Sequence, residues 1–251
     1  MPAATILAHL QTLDAERRRR AADTTLNDRV VALKAFQQRR FAHTYADLLA
    51  SDRYGAAARY FLDELYGPDG FAHRDAQFAR VFPHQVAETV ATLAELHALS
   101  EVLDTAMGLQ LADEAITTSD YIGAWQRVDR AADRARQIEL TLGIAAQLDR
   151  ITRLPLLRNA LRLMRGPARA AGLRELQHSL ETGFDTFRAM KGAQEFIALI
   201  GARERVFAAA LFAANDGSAA GAATMERALA VLPPALTPAR GRGSPGSPSG
   251  P

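Results

Sequence analysis

Residues 59–83, RYFLDELYGPDGFAHRDAQFARVFP, hold four of the eleven Phe and two of the five Tyr in the 251-residue chain, with a Gly-Pro break among them. Ahead of the break, Tyr54, Ala57, Ala58, Phe61, Leu62 and Leu65 recur at helical spacing and form one broad apolar face. Gly67-Pro68 ends that helix, because Gly accepts a left-handed cap and Pro cannot continue the ladder. Past Pro83 a second stripe begins. Val86, Val90, Leu93, Leu96, Leu103 and Met107 mark the inner side of a helix that runs to about residue 109. Two helices joined by an aromatic-pinned connection therefore form the expected centre.

Similar periodicity extends on both sides. Residues 5–22 predict a helix with Ile6, Leu10 and Leu13 inward, and its Arg17, Arg18, Arg19 and Arg20 read as a solvated end that suits the macrodipole. Asn27 or Asp28 caps the next helix, with Val30, Leu33, Phe36, Phe41, Tyr45 and Leu48 as its stripe; Ser51 or Asp52 caps the one that carries Phe61. Ser119 opens a long helix bearing the single Trp, Trp125, and alternating charges (Asp129, Arg130, Asp133, Arg134, Arg136) that read as a solvated ion-pair face or, alternatively, as a partner-docking strip. Pro155 and Pro167 each start a short helix. The basic, amphipathic residues 154–165 are expected to pack on the bundle. Residues 168–190 and 193–214 complete seven to eight helices.

Abundant Ala, Leu and Arg with few β-branched residues favour the same all-α class. The expected organisation is a single helical bundle over residues 3–214 and a loosely attached, partly helical stretch at 215–232. A Pro-, Gly- and Ser-rich tail at 233–251 is too poor in apolar surface to order itself.

Thirty Lys and Arg against 28 Asp and Glu leave a net charge of +2, and Arg240 and Arg242 in the tail supply both units. The remainder is formally neutral, so nucleic acid is not an expected partner. With no Cys, the chain has no disulfide, thiolate metal site or cysteine nucleophile. No basic residue precedes Ile6, Leu7 and Leu10, and the longest apolar run, 206–214, is too short for a membrane span. A soluble cytoplasmic protein is the expectation.

No nucleophile elbow, phosphate loop, zinc-protease pair or dinucleotide fingerprint occurs. Glu175 and His178 have the spacing used in di-iron bundles, but the motif occurs once where two copies and two further Glu are needed, and it reads as chance. No metal site is expected. The candidate binding residues are Arg59, Glu64, Tyr66, His73, Arg74, Asp75 and Arg80 around the aromatic connection, with His97 on the stripe of the following helix. The competing structural readings are an ion-pair network that fixes the connection and a histidine at the core edge.

The strings FLDELYGP (61–68) and RDAQFARVFP (74–83) resemble a motif of uncharacterised all-helical proteobacterial proteins, and FDTFRAMKGAQEFIALIGARE (184–204) is similar to their C-terminal half. The resemblance covers most of residues 52–211. It implies a helical fold and no activity.

Three functions follow as expectations. The leading one is a non-enzymatic protein acting through a protein partner or a homo-oligomer. The second is a module holding haem or an acyl chain among Phe61, Tyr66, Phe71, Phe78 and Phe82, with His73 or His97 as polar contact; it needs a cavity of at least about 300 Å³. The third is an enzyme using Glu64, His73, Arg74 and Asp75 for acid–base chemistry, which requires those groups to converge in a cleft.

Overall fold

The structure, a computed structural model, describes residues 2–64, 84–154, 156–170, 172 and 174–213. Every regular element among them is helical: α1 Pro2–Ala21, α2 Thr24–Thr44, α3 Ala46–Leu49, α4 Gly55–Glu64, α5 His84–Gly108, α6 Thr118–Val128, α7 Ala131–Ile151, α8 Leu157–Leu163, α9 Arg165–Ala170, α10 Arg174–Met190 and α11 Gln194–Ala213. Among the described residues eight helices have ten residues or more, which agrees with the all-α bundle read from periodicity. The aromatic connection after Glu64, Pro155, and the expected segments at 215–232 and 233–251 lie outside the described residues.

Helix α5 occupies the centre and packs against α1, α2, α6 and α7. All six stripe residues, Val86, Val90, Leu93, Leu96, Leu103 and Met107, are buried. Two apolar clusters result. In the larger, Phe61 of α4 meets Phe187 of α10 and Phe196 of α11 at ring separations of 6.1 and 5.6 Å. In the smaller, Leu33, Phe36, Met107, Tyr121, Trp125, Phe207 and Leu211 close together. Helices α2, α5 and α11 supply residues to both, which ties the clusters into one bundle.

Several boundaries differ from the sequence reading. The cap of α2 is Asp23, whose carboxylate accepts the Leu26 N–H at 3.0 Å, rather than Asn27 or Asp28. The helix expected to start at Ser119 is capped by Thr117 in a reciprocal box with Asp120. It then breaks at Asp129, a left-handed residue at φ 47°, so that α6 and α7 are separate. Short polar side chains tolerate that conformation best after Gly. Downstream, Gly172 at φ 72° separates α9 from α10, so the helix expected from residue 168 begins at Arg174. Val206, the first residue of the apolar run 206–214, is 65% exposed on α11. No helix of the described residues is long and apolar enough to cross a membrane.

Candidate functional site

Of the eight residues singled out from sequence, three lie among the described ones. Arg59 is exposed on α4 and donates to the Leu49 carbonyl at 3.1 Å, tying α4 to α3. Glu64 is the last residue of α4. His97 is buried on α5, and burial pulls its imidazole from 6.5 down to about 4, against the pull of Glu101. It is neutral near pH 7. Tyr66, His73, Arg74, Asp75 and Arg80 lie outside the described residues, as do Phe71, Phe78 and Phe82 of the haem or acyl reading. Phe61 is fully buried against Phe187 and Phe196.

Polar groups that composition did not single out are brought together inside the bundle. His97, Glu101 and Asp104 fall at helical spacing on one face of α5, and all three are buried. Glu101 accepts from Arg20 of α1 and from Lys34 Nζ of α2 at 2.9 Å, with Arg17 Nε at 3.6 Å. Arg20 also donates to Thr105 Oγ1 at 2.9 Å. Burial pushes the Glu101 carboxyl up, but Lys34, Arg20 and Arg17 outweigh it and the group is held below its ordinary range. Asp104 moves the other way. Burial raises it despite Lys34, the Gln37 hydrogen bond at 2.9 Å and Arg134. Arg20 therefore corrects the expectation of a solvated arginine run. Arg18 and Arg19 are exposed, while Arg17 and Arg20, three residues apart, turn toward α5.

This polar seam continues to a cavity of about 50 Å³ between α2, α6, α7 and α11. Its wall includes Gln37, Arg40, Tyr121, Trp125, Arg134 and Glu204. Arg40 grips Glu204 through both terminal nitrogens at 2.5 and 3.2 Å, and the Tyr45 hydroxyl donates to the same carboxylate at 2.7 Å. Arg134 lies 4.0 Å above the Trp125 ring and donates to Gln137 Oε1 at 2.9 Å and Met107 Sδ at 2.8 Å. Arg134 is buried, which overturns its assignment to a solvated charge face. The space is far below the several hundred cubic ångströms a haem or acyl chain requires. Among the described residues no group of three or more His, Cys, Asp or Glu is arranged to hold a metal ion. Glu175 and His178 are both exposed.

A third feature is on the surface. Residues 150–174 carry seven Arg and no Asp or Glu. Arg150, Arg153, Arg158 and Arg165 pair with Glu88, Asp149, Asp185 and Glu181, while Arg162, Arg169 and Arg174 are exposed. The hydrogen bond from Arg165 holds the Glu181 carboxyl at about 2, burial opposing it. Leu157 and Leu161 of α8 face the core, as expected of an amphipathic segment that packs on the bundle. Leu156 and Leu163, one at each end of the helix, are 77% and 78% exposed. Leu156 has φ 70°, a conformation that costs an L-residue about 1–2 kcal/mol.

Residues 16–218 match the family described as Domain of unknown function (DUF8198). The chain belongs to this family. The match spans all three strings on which the sequence resemblance rests, and it contains the seam, the cavity and the α8–α9 ridge alike. No curated protein and no solved structure matches the chain. Family membership therefore brings no activity with it, and the chemistry has to be read from the residues.

The sequence signal for the ridge was the acid-free run of arginines, which is plain to count. For the seam there was only the spacing of His97, Glu101 and Asp104.

Proposed function

We propose that the chain is a non-enzymatic helical protein that binds a protein partner on the ridge formed by α8 and α9. The observation that carries this reading is Leu156, held in a left-handed conformation with its side chain mostly in water. Glycine relieves that backbone strain and removes the exposed apolar surface together, so a leucine there costs stability twice over. Strain of this kind gathers at binding sites. Leu163 provides a second exposed anchor two turns along the helix, and the exposed Arg162, Arg169 and Arg174 give the same stretch of chain positive charge. The matching partner surface is an acidic one with clefts for two aliphatic side chains. The proposed compartment is the cytoplasm, which suits a chain without Cys.

The test compares wild-type protein with a Leu156→Gly, Leu163→Ser variant in co-purification from the native host, followed by titration of the recovered partner. The variant should keep its helicity and melt at or above the wild-type temperature while affinity drops at least about tenfold. Equal retention of that partner by both proteins would sink the proposal. Sedimentation of the free protein separates self-association from a foreign partner, and flotation with anionic vesicles tests a lipid surface instead.

A further inference from the structure

The cavity between α2, α6, α7 and α11 supports a second assignment, independent of the ridge. Its wall is rich in hydrogen-bond donors and positive charge. Arg40 and Arg134 both line it and both are buried, with the Glu204 carboxylate on the same wall. That carboxylate already accepts from Arg40 and Tyr45. Trp125 is only 7% exposed, and its indole Nε1 is buried with no hydrogen-bond partner among the described residues. Indole N–H is a donor only, so an acceptor is what completes it.

We infer that this cavity is a binding site for a small planar oxyanion, of the size of formate, acetate or bicarbonate. The volume sets the size class: about 50 Å³ holds a few waters, hence a few heavy atoms. The flat guanidinium of Arg134 offers the geometry, since parallel N–H groups match a planar carboxylate better than they match a spherical ion. Trp125 supplies the third donor.

Trp125 is the single Trp of the chain, so its emission reports on this cavity alone. The full-length protein is titrated with sodium formate, acetate and bicarbonate, each against sodium chloride at equal ionic strength. A saturable change in emission with at least one planar anion, absent with chloride, is the expected result. Trp125→Phe deletes the donor and retains a smaller aromatic ring beneath Arg134. Calorimetric titration of that variant, shown folded by circular dichroism, should give affinity weaker by about tenfold. No saturable response to any of the three anions, or an equal response to chloride, overturns the site. Unchanged affinity in Trp125→Phe overturns the role of the indole N–H and, with it, the assignment.

Discussion

Arg20 of α1 donates to Glu101 of α5 with both side chains inside the protein, at 6% and 5% exposure. The pair joins the N-terminal helix to the central one, and Lys34 brings α2 to the same carboxylate. Its importance lies in what remains when half is removed. Glu101→Gln keeps the shape but leaves Arg20 as a buried cation without its counter-charge. The expected loss in urea unfolding is about 3–5 kcal/mol. Glu139→Gln, which breaks the exposed pair with Arg205, is the control and should cost under about 1 kcal/mol. Similar losses in the two variants would show that Arg20 is solvated.

The pH dependence of stability has a defined window at His97. Its folded value lies near 4, below its ordinary 6.5, so between those values the unfolded chain takes up a proton that the folded chain does not. Stability is therefore full above 6.5 and falls as the pH drops towards 4, by at most about 1.4 kcal/mol per pH unit. Melting temperatures of wild type and His97→Gln across this window should converge as the pH falls. Parallel curves would assign the acid loss to other groups.

Phe61 has no exposed surface and sits between the rings of Phe187 and Phe196. Phe61→Ala leaves a cavity that this aromatic cluster can fill only in part, and the cost should be about 3–5 kcal/mol. Chemical denaturation checks it; a loss well under about 1 kcal/mol would mean that the ring is not in the core.

Alanine normally stabilises a helix relative to glycine, and Gly183 of α10 should behave in the opposite way. A Cβ there meets the Tyr60 hydroxyl oxygen at 2.8 Å and the adjoining ring carbon at 2.9 Å. Tyr60 is itself buried edge-on against Phe61, so its ring has little room to yield. Gly183→Ala should therefore cost about 1–3 kcal/mol rather than gain about 1. A raised melting temperature would show that α4 and α10 separate easily at this contact.

The helices were legible because a period near 3.6 is a local property of the chain. Val30, Leu33, Phe36 and Phe41 of α2, like Val86, Val90, Leu103 and Met107 of α5, are all buried where their spacing placed them. The break at Asp129 was not legible, since no Gly or Pro marks it. Of the candidate site, the sequence named His97, which is buried on α5, and Arg59, which is exposed on α4 and bonded to the Leu49 carbonyl. It did not distinguish Arg20 from Arg18 and Arg19, or Arg134 from Arg136.

By itself, then, the sequence determined the helical class, the inner stripes, and the acid-free arginine run at residues 150–174, because each depends only on neighbours along the chain. Which charges lie inside was decided by tertiary structure. Arg20 is buried because α5 presents Glu101 opposite it, and Arg134 because Trp125 and Met107 meet it from other helices. Leu156 and Leu157 are adjacent in sequence and chemically identical. One is exposed and the other buried because the first takes a left-handed turn just before α8 starts and the second lies on the face that meets the core. A charge or a leucine carries no record of what stands across from it, and that partner sets the cost of its burial.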